Sequence, residues 1–240
     1  MEKSNQQTWE IFRQVNTGRR AIRHFTGEKI SDDDMLAILA EAQLAPSSNN
    51  LQLYEFHWIK DPGKCAAIAA ACNQNAGTSA KTFVVITTGW RSMKENYARF
   101  LTHMESSDRY DERTKAYYYK KKKEIRLFRM IMPSPVIGVL KAVFSLFTSH
   151  FTVGPFGRSG IRQWAARNSV WAAQTLLLAA SAKGIDSCPM EGFNPFKVAK
   201  AVSLKRGEVI SIVIALGRRS AGARVDPQWR LPLEKVLTIH

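Results

Sequence analysis

The chain is poor in the residues that build metal centres and disulfide frameworks. It has 3 cysteines in 240 residues, Cys65, Cys72 and Cys188, and no C-x-x-C spacing among them. That excludes a zinc knuckle and a stapled secreted scaffold, and it reads as buried thiols of a reducing compartment. The 5 histidines are scattered and no H-E-x-x-H occurs, so a metal centre is not expected. No G-x-G-x-x-G follows a predicted strand, which argues against a Rossmann cofactor site. The opening "MEKSNQQTWEIFRQ" lacks an apolar signal core, so secretion is not expected. Acidic residues are also scarce: 20 Asp and Glu stand against 35 Lys and Arg, a net charge of +15. Such a field draws anions, whether phosphorylated cofactors, acidic lipid or nucleic acid, without choosing among them.

What is present is enough for a core. The hydrophobic fraction is 45%, ample for one domain of this length. Residues 5–17 read as a helix stopped by Gly18. Ser31 before three aspartates is a strong helix start, because its hydroxyl caps free N–H groups and the acids face the positive helix end. Pro46 should end that helix. "LYEFHWI" alternates like a half-buried strand, Asp61-Pro62 opens an alanine-rich helix, and "KTFVVITTG" reads as a central strand. In that alanine-rich helix Cys65 and Cys72, two turns apart, should share a face. A long helix is expected from Ile161 to Lys183, stopped by Gly184. Asn194-Pro195 should start another, ended by Gly207. "EVISIVIALG" completes the strands, and the tail from Ala221 to His240 reads as an extended arm.

Four short motifs carry chemistry, each weak alone. "GRRAIRHF" places Arg19, Arg20 and Arg23 within five positions. "APSSNNLQ" exposes hydroxyls and amides at Ser47, Ser48, Asn50 and Gln52 after Pro46. "CPMEGF" contains Pro189, Met190, Glu191 and Gly192 on a turn where glycine permits close backbone approach. "QWRLP" sets Arg230 before a Leu-Pro pair.

In this order and spacing the four motifs resemble the FMN-dependent nitroreductase family. Arg19-Arg20-Ala21-Ile22-Arg23-His24-Phe25 matches its R-R-S-x-R-x-F opening, and Ala45 to Gln52 matches A-P-S-S-x-N-x-Q. Pro189 to Gly192 matches the P-x-E-G turn, and Arg230 the late basic residue before Leu-Pro. The resemblance covers residues 10–105 and 160–235. It implies an α+β fold with a central, mostly antiparallel sheet flanked by helices, one domain over 1–240, and an intertwined homodimer with one FMN per site. It further implies NAD(P)H as donor and two-electron, ping-pong reduction of a nitroaromatic, quinone or similar electron-poor small molecule, in the cytoplasm.

The resemblance also assigns roles. Arg19 and Arg230 would hold the phosphate through charge-assisted bonds, with Arg20 beside them. Arg23 would face the pyrimidine edge and stabilise negative charge on the reduced flavin, raising its potential. Ser47, Ser48 and Asn50 would reach the flavin of the partner subunit. The Glu191–Gly192 backbone would lie against the central ring, and Asn73 near the pyrimidine edge. No side chain need act as acid or base, since the flavin carries the chemistry. Three departures stand out. Ala21 replaces the usual serine, Leu53-Tyr54 replaces Pro-Trp after Gln52, and Gln228 stands where a lysine is common. The first and last thin the phosphate grip.

An insert at about 107–158 lies outside the resemblance. Its first half, "KAYYYKKKKEIRLFR", is basic and aromatic. Its second is apolar, interrupted by Pro133, Pro135 and Gly138 and split by Lys141. It reads as a helical lid or dimer wrap. A peripheral contact with the inner face of a membrane through residues 115–156 is the sharper alternative. The rival functions are a reductive dehalogenase on the same fold, and a basic membrane- or nucleic-acid-binding protein without flavin. Survival of all four motifs argues against the last, and nucleic acid is not the expected partner.

Overall fold

Chain order in the computed structural model follows from strong local signals at the element ends. The structure describes residues 2–130, 143 and 157–240. Helix α1 (Glu2–Gly18) leads into an extended segment. Helix α2 (Asp32–Gln43) begins where Ser31 Oγ accepts from the Asp34 N–H, as the capping signal requires. It stops at Gln43, short of Pro46. Strand β1 (Glu55–Ile59) follows, then α3 (Pro62–Cys72), capped by Asp61, and α4 (Asn75–Ser79). Cys65 and Cys72 are both buried in the same apolar cluster, in accord with two turns of one helix face.

Strand β2 (Thr82–Gly89) is buried along its whole length. Helix α5 (Trp90–Glu105) and helix α6 (Glu112–Met130) come next, and α6 carries the basic aromatic run. Residues 131–142 and 144–156, the apolar half of the insert, lie outside the described residues. Helix α7 (Gly157–Ala182) is the long helix expected from the sequence, and Gly184 after it takes φ +67°. Strand β3 (Asp186–Met190), helix α8 (Pro195–Ala201) and strand β4 (Glu208–Gly217) complete the core. Helix α8 ends well before Gly207, with Ser203 at φ +52° making the reversal. Gly207, at φ +91°, instead turns the chain into β4. The tail is exposed, with one short 3-10 turn at Leu233–Lys235.

The sheet order is β1-β2-β4-β3 and every pairing is antiparallel, so the fold is α+β. Central β2 and β4 are nearly continuous apolar runs because both faces are covered. One face meets α3 and α4 in the cluster of Ile68, Phe83, Val85 and Val213. The other meets α2 and α7 through Met35, Ile38, Leu176 and Ile214. A third cluster joins α5 and α6 to α7 around Met93, Tyr97, Phe100 and Ile161. Among the described residues, no helix is long and apolar enough to cross a membrane.

Candidate functional site

The arginine segment is held as an irregular strand along the outer edge of β3. Ile22 N–H donates to Ser187 O at 3.0 Å, and Thr26 N–H donates to Arg218 O at 2.9 Å. Ala21 bridges Ser187 and Phe25 bridges Arg219. Burial of Ile22 and Phe25 in the core fixes the register, leaving Arg19 and Arg20 half-buried and Arg23 exposed. Phe25 also lies where a Cβ on Gly217 would meet its ring at 2.9 Å, so only glycine fits there.

Arg19 and Arg20 line a cavity of about 620 Å³ between α1, the end of α7 and β3. Arg218 and Arg219 reach the same cavity, and Asp186 is the carboxylate in its wall. That acid is occupied, because the Arg219 guanidinium binds both its oxygens, with Nε at 3.1 and 3.0 Å. The hydrogen bond to Asp186, with its charge and against the cost of burial, raises the Arg219 pKa. Arg20 donates to the carbonyl of Asp226 on the tail. Arg19 has no acidic partner among the described residues. The donor set is thus cationic, forked and underpaired, which suits a phosphate.

Against the expected turn over Pro189–Gly192, Pro189 and Met190 are the last two residues of β3, paired with Ile214 and Val213, and Met190 is buried in the core; the turn proper begins at Glu191. Gln74 Nε2 donates to Gly192 O at 2.9 Å, and Asn194 N–H donates to Ala71 O at 2.9 Å, so the turn is clamped to the end of α3. A Cβ on Gly192 would stand 3.0 Å from Gln74 Nε2. Asn73 is the exposed left-handed residue after α3, at φ +45°, on the same side. Arg23 is joined to this group through Ser79, whose Oγ donates to Arg23 O at 3.2 Å. The Arg23 charge also acts on the Cys188 thiol, although burial dominates and pushes that thiol up. Cys188 is therefore a protonated core group, not a nucleophile.

The serine loop is built differently. Asn49 and Asn50 both take φ +53° and Gln52 takes φ +45°, a left-handed stretch with no glycine. Its bonds hold it there. Ser48 N–H donates to Asn168 Oδ1 at 2.8 Å, Gln52 N–H donates to Ser47 Oγ at 2.9 Å, and Asn96 Nδ2 donates to Gln52 O at 2.7 Å. Tyr117 on α6 reaches Asn49 Oδ1 at 3.3 Å. Asn50 and Gln52 line a second cavity, of about 780 Å³, with Arg91, Arg99 and His103. Among the described residues none lines both cavities.

Arg91 in that second cavity gathers three carboxylates: Glu55 at 2.9 Å, Glu95 at 2.9 Å and the buried Glu208 at 3.0 Å. Ser92 Oγ also donates to Glu208 at 2.7 Å. The cluster explains why Glu208 can sit at the buried start of β4.

Within one chain, then, Arg19, Arg20, Arg23, Asn73 and the Pro189–Met190–Glu191–Gly192 segment share one edge of the sheet. Pro46, Ser47, Ser48, Asn50 and Gln52 stand apart from them. Arg230 lies on the exposed tail, where Nη1 donates to its neighbour's Trp229 O at 2.7 Å. Sequence reading missed Gln74, Asn96 and Asn168. An asparagine in the middle of the otherwise Ala- and Leu-rich α7 was the available signal. Among the described residues no group of His, Cys, Asp or Glu could hold a metal ion.

The chain is similar to known proteins of one family. The model of the nitroreductase family matches residues 17–218. Protein DrgA of Synechocystis is 26% identical over 228 residues, covering 92% of each chain. An NADH dehydrogenase of Thermus thermophilus is 25% identical over 219 residues, covering 91% of each. A protein from Exiguobacterium sibiricum, solved in complex with FMN, superposes with a TM-score of 0.65 at 22% identity, over 95% of this chain and 97% of that one.

Proposed function

Since the chain belongs to the nitroreductase family, we propose that it is an FMN-dependent oxidoreductase that takes electrons from NAD(P)H. The observation that carries this reading is the meeting of two motifs from opposite ends of the chain on one sheet edge. Ala21 of the arginine segment bridges Ser187, two positions before the Pro189–Gly192 segment.

FMN, when bound, supplies two-electron chemistry at its central ring. The chain's own residues then have separable tasks. Arg19, with Arg20 and Arg230, holds the phosphate. Arg23 places positive charge at the pyrimidine edge and favours the reduced anion. Asn73 lies at the same edge. At Gly192, which has no Cβ, the Glu191–Gly192 backbone would admit the ring closely and supply an N–H to it.

Among the described residues, none of the serine loop lines the arginine cavity of its own chain. In this reading Pro46, Ser47, Ser48, Asn50 and Gln52 serve the flavin of a second copy, and the enzyme is a homodimer. Exposed Trp9 and Phe12 on α1, and Val170 and Trp171 on α7, supply apolar surface for such an interface. The whole chain acts as one catalytic unit, and its three free cysteines suit a cytoplasmic setting.

Nucleotide leaves before acceptor enters, and the acceptor is an electron-poor small molecule of nitroaromatic or quinone type. Initial rates with NADH or NADPH against nitrofurazone or menadione test the order. Parallel double-reciprocal lines are expected; lines that intersect would rule out the ping-pong scheme.

A further inference from the structure

Helices α5 and α6 enclose a third cavity, of about 430 Å³, within the size range of small-ligand sites. Its apolar lining is Leu51, Trp90, Met93, Tyr97 and Ile125. Its rim is Lys94, Lys122 and Arg126. The Tyr97 hydroxyl is committed to Tyr118 O at 2.7 Å. Among the described residues no Ser, Thr, Asn, Gln or carboxylate lines the cavity.

The cations of α6 fall into paired and unpaired sets. Among the described residues Lys120 and Lys123 share the unpaired state of Lys122 and Arg126; what sets the last two apart is that they line this cavity with Lys94 of α5. Lys121 pairs with Glu124 at 2.8 Å and Lys115 with Glu112 at 3.0 Å. Among the described residues no carboxylate pairs with Lys94, Lys122 or Arg126. Lys122 and Arg126 stand four apart on one helix face, a like-charge arrangement that weakens a helix by itself. A bound anion would relieve that repulsion.

We propose that this cavity binds an amphiphilic anion, with an acyl chain or ring on the Leu51–Met93–Ile125 lining and a carboxylate or phosphate head on Lys94, Lys122 and Arg126. The ligand is either a free fatty acid-like molecule or the outer part of an anionic lipid. The site is independent of the flavin reading.

Calorimetry with laurate, below its micelle concentration, and flotation with phosphatidylcholine vesicles with or without phosphatidylglycerol test it on the full chain. Flavin content, recorded alongside, keeps a failure of the flavin reading separate. Saturable binding of one laurate per chain is expected, about tenfold weaker for dodecanol and weakened by salt. The exposed double variant Lys122→Gln/Arg126→Gln should weaken it at least about tenfold by removing charge-assisted contacts. Ile125→Trp, which fills the cavity and keeps every cation, should abolish it. Laurate binding without vesicle flotation identifies a free amphiphile. Flotation only with phosphatidylglycerol, lost in both variants, identifies lipid. The proposal falls if wild-type protein binds neither probe, or if binding survives either variant.

Discussion

The backbone N–H of Ser48 donates to Oδ1 of Asn168 across 2.8 Å, tying the serine loop to the middle of α7. Asn168 is buried, and its Nδ2 is committed to Trp164 O at 2.9 Å, so its amide orientation is fixed. The loop it holds contains three left-handed residues with side chains, a conformation that persists only when the surroundings enforce it.

Asn168→Ala should therefore release the loop. Leaving the Ser48 N–H without a partner costs roughly 1–3 kcal/mol, and FMN retention should fall with it. Asn168→Asp keeps the oxygen that accepts from Ser48 but sets its second oxygen against Trp164 O in a buried position, so it should retain more flavin than the alanine variant and less than the wild type. Flavin content after gel filtration checks the order. Equal retention in all three proteins would remove Asn168 from the account.

Arg19 and Arg23 should separate by ligand. Losing a forked cation on a phosphate typically weakens binding by about tenfold or more. Arg19→Ala should thus weaken FMN binding on that scale and leave riboflavin, which has no phosphate, almost unchanged. Arg23→Ala should weaken both alike and lower the reduction potential of the bound flavin. Fluorescence titrations and a spectroelectrochemical scan read the two effects.

Gly89, at the end of β2, tests backbone packing. A Cβ there would stand 2.8 Å from Glu208 Cα and 2.9 Å from Gly207 O, and neither backbone atom can move aside cheaply. Gly89→Ala should cost about 1–3 kcal/mol, visible as a lower urea midpoint at unchanged slope.

Burial, with Cys188 beside it, raises the Cys72 thiol from 9.0 to about 11. The folded state therefore holds this proton more tightly than the unfolded chain. Its contribution is complete below pH 9.0 and is lost as pH rises through about 11, a change of roughly 2–3 kcal/mol. Denaturant midpoints measured across that window should fall less steeply in Cys72→Ala than in the wild type.

Signals confined to a few residues were readable in the sequence. The caps at Ser31, Asp61 and Asn194 satisfy N–H groups two or three positions away, so composition alone located three helix starts. The apolar runs of β2 and β4 were equally plain. Sheet order was not, since it depends on which buried strands meet. Gly207 misled because a left-handed glycine marks a turn without saying which element it ends. Of the site, the four motifs gave the residue types, but their grouping came from the fold. Asn168 lies 120 positions from the loop it holds, and no local pattern reports a bond of that span.

The central claim is that this chain carries a reducible flavin on the edge formed by Arg19, Arg23 and the Pro189–Gly192 segment. Near-ultraviolet and visible absorbance of the purified protein, before and after anaerobic NADH or NADPH, tests it most directly. The bands of bound oxidised flavin are expected, bleached by at least one nucleotide and restored by an added quinone. Protein that is colourless, and remains so after incubation with FMN and desalting, would contradict it.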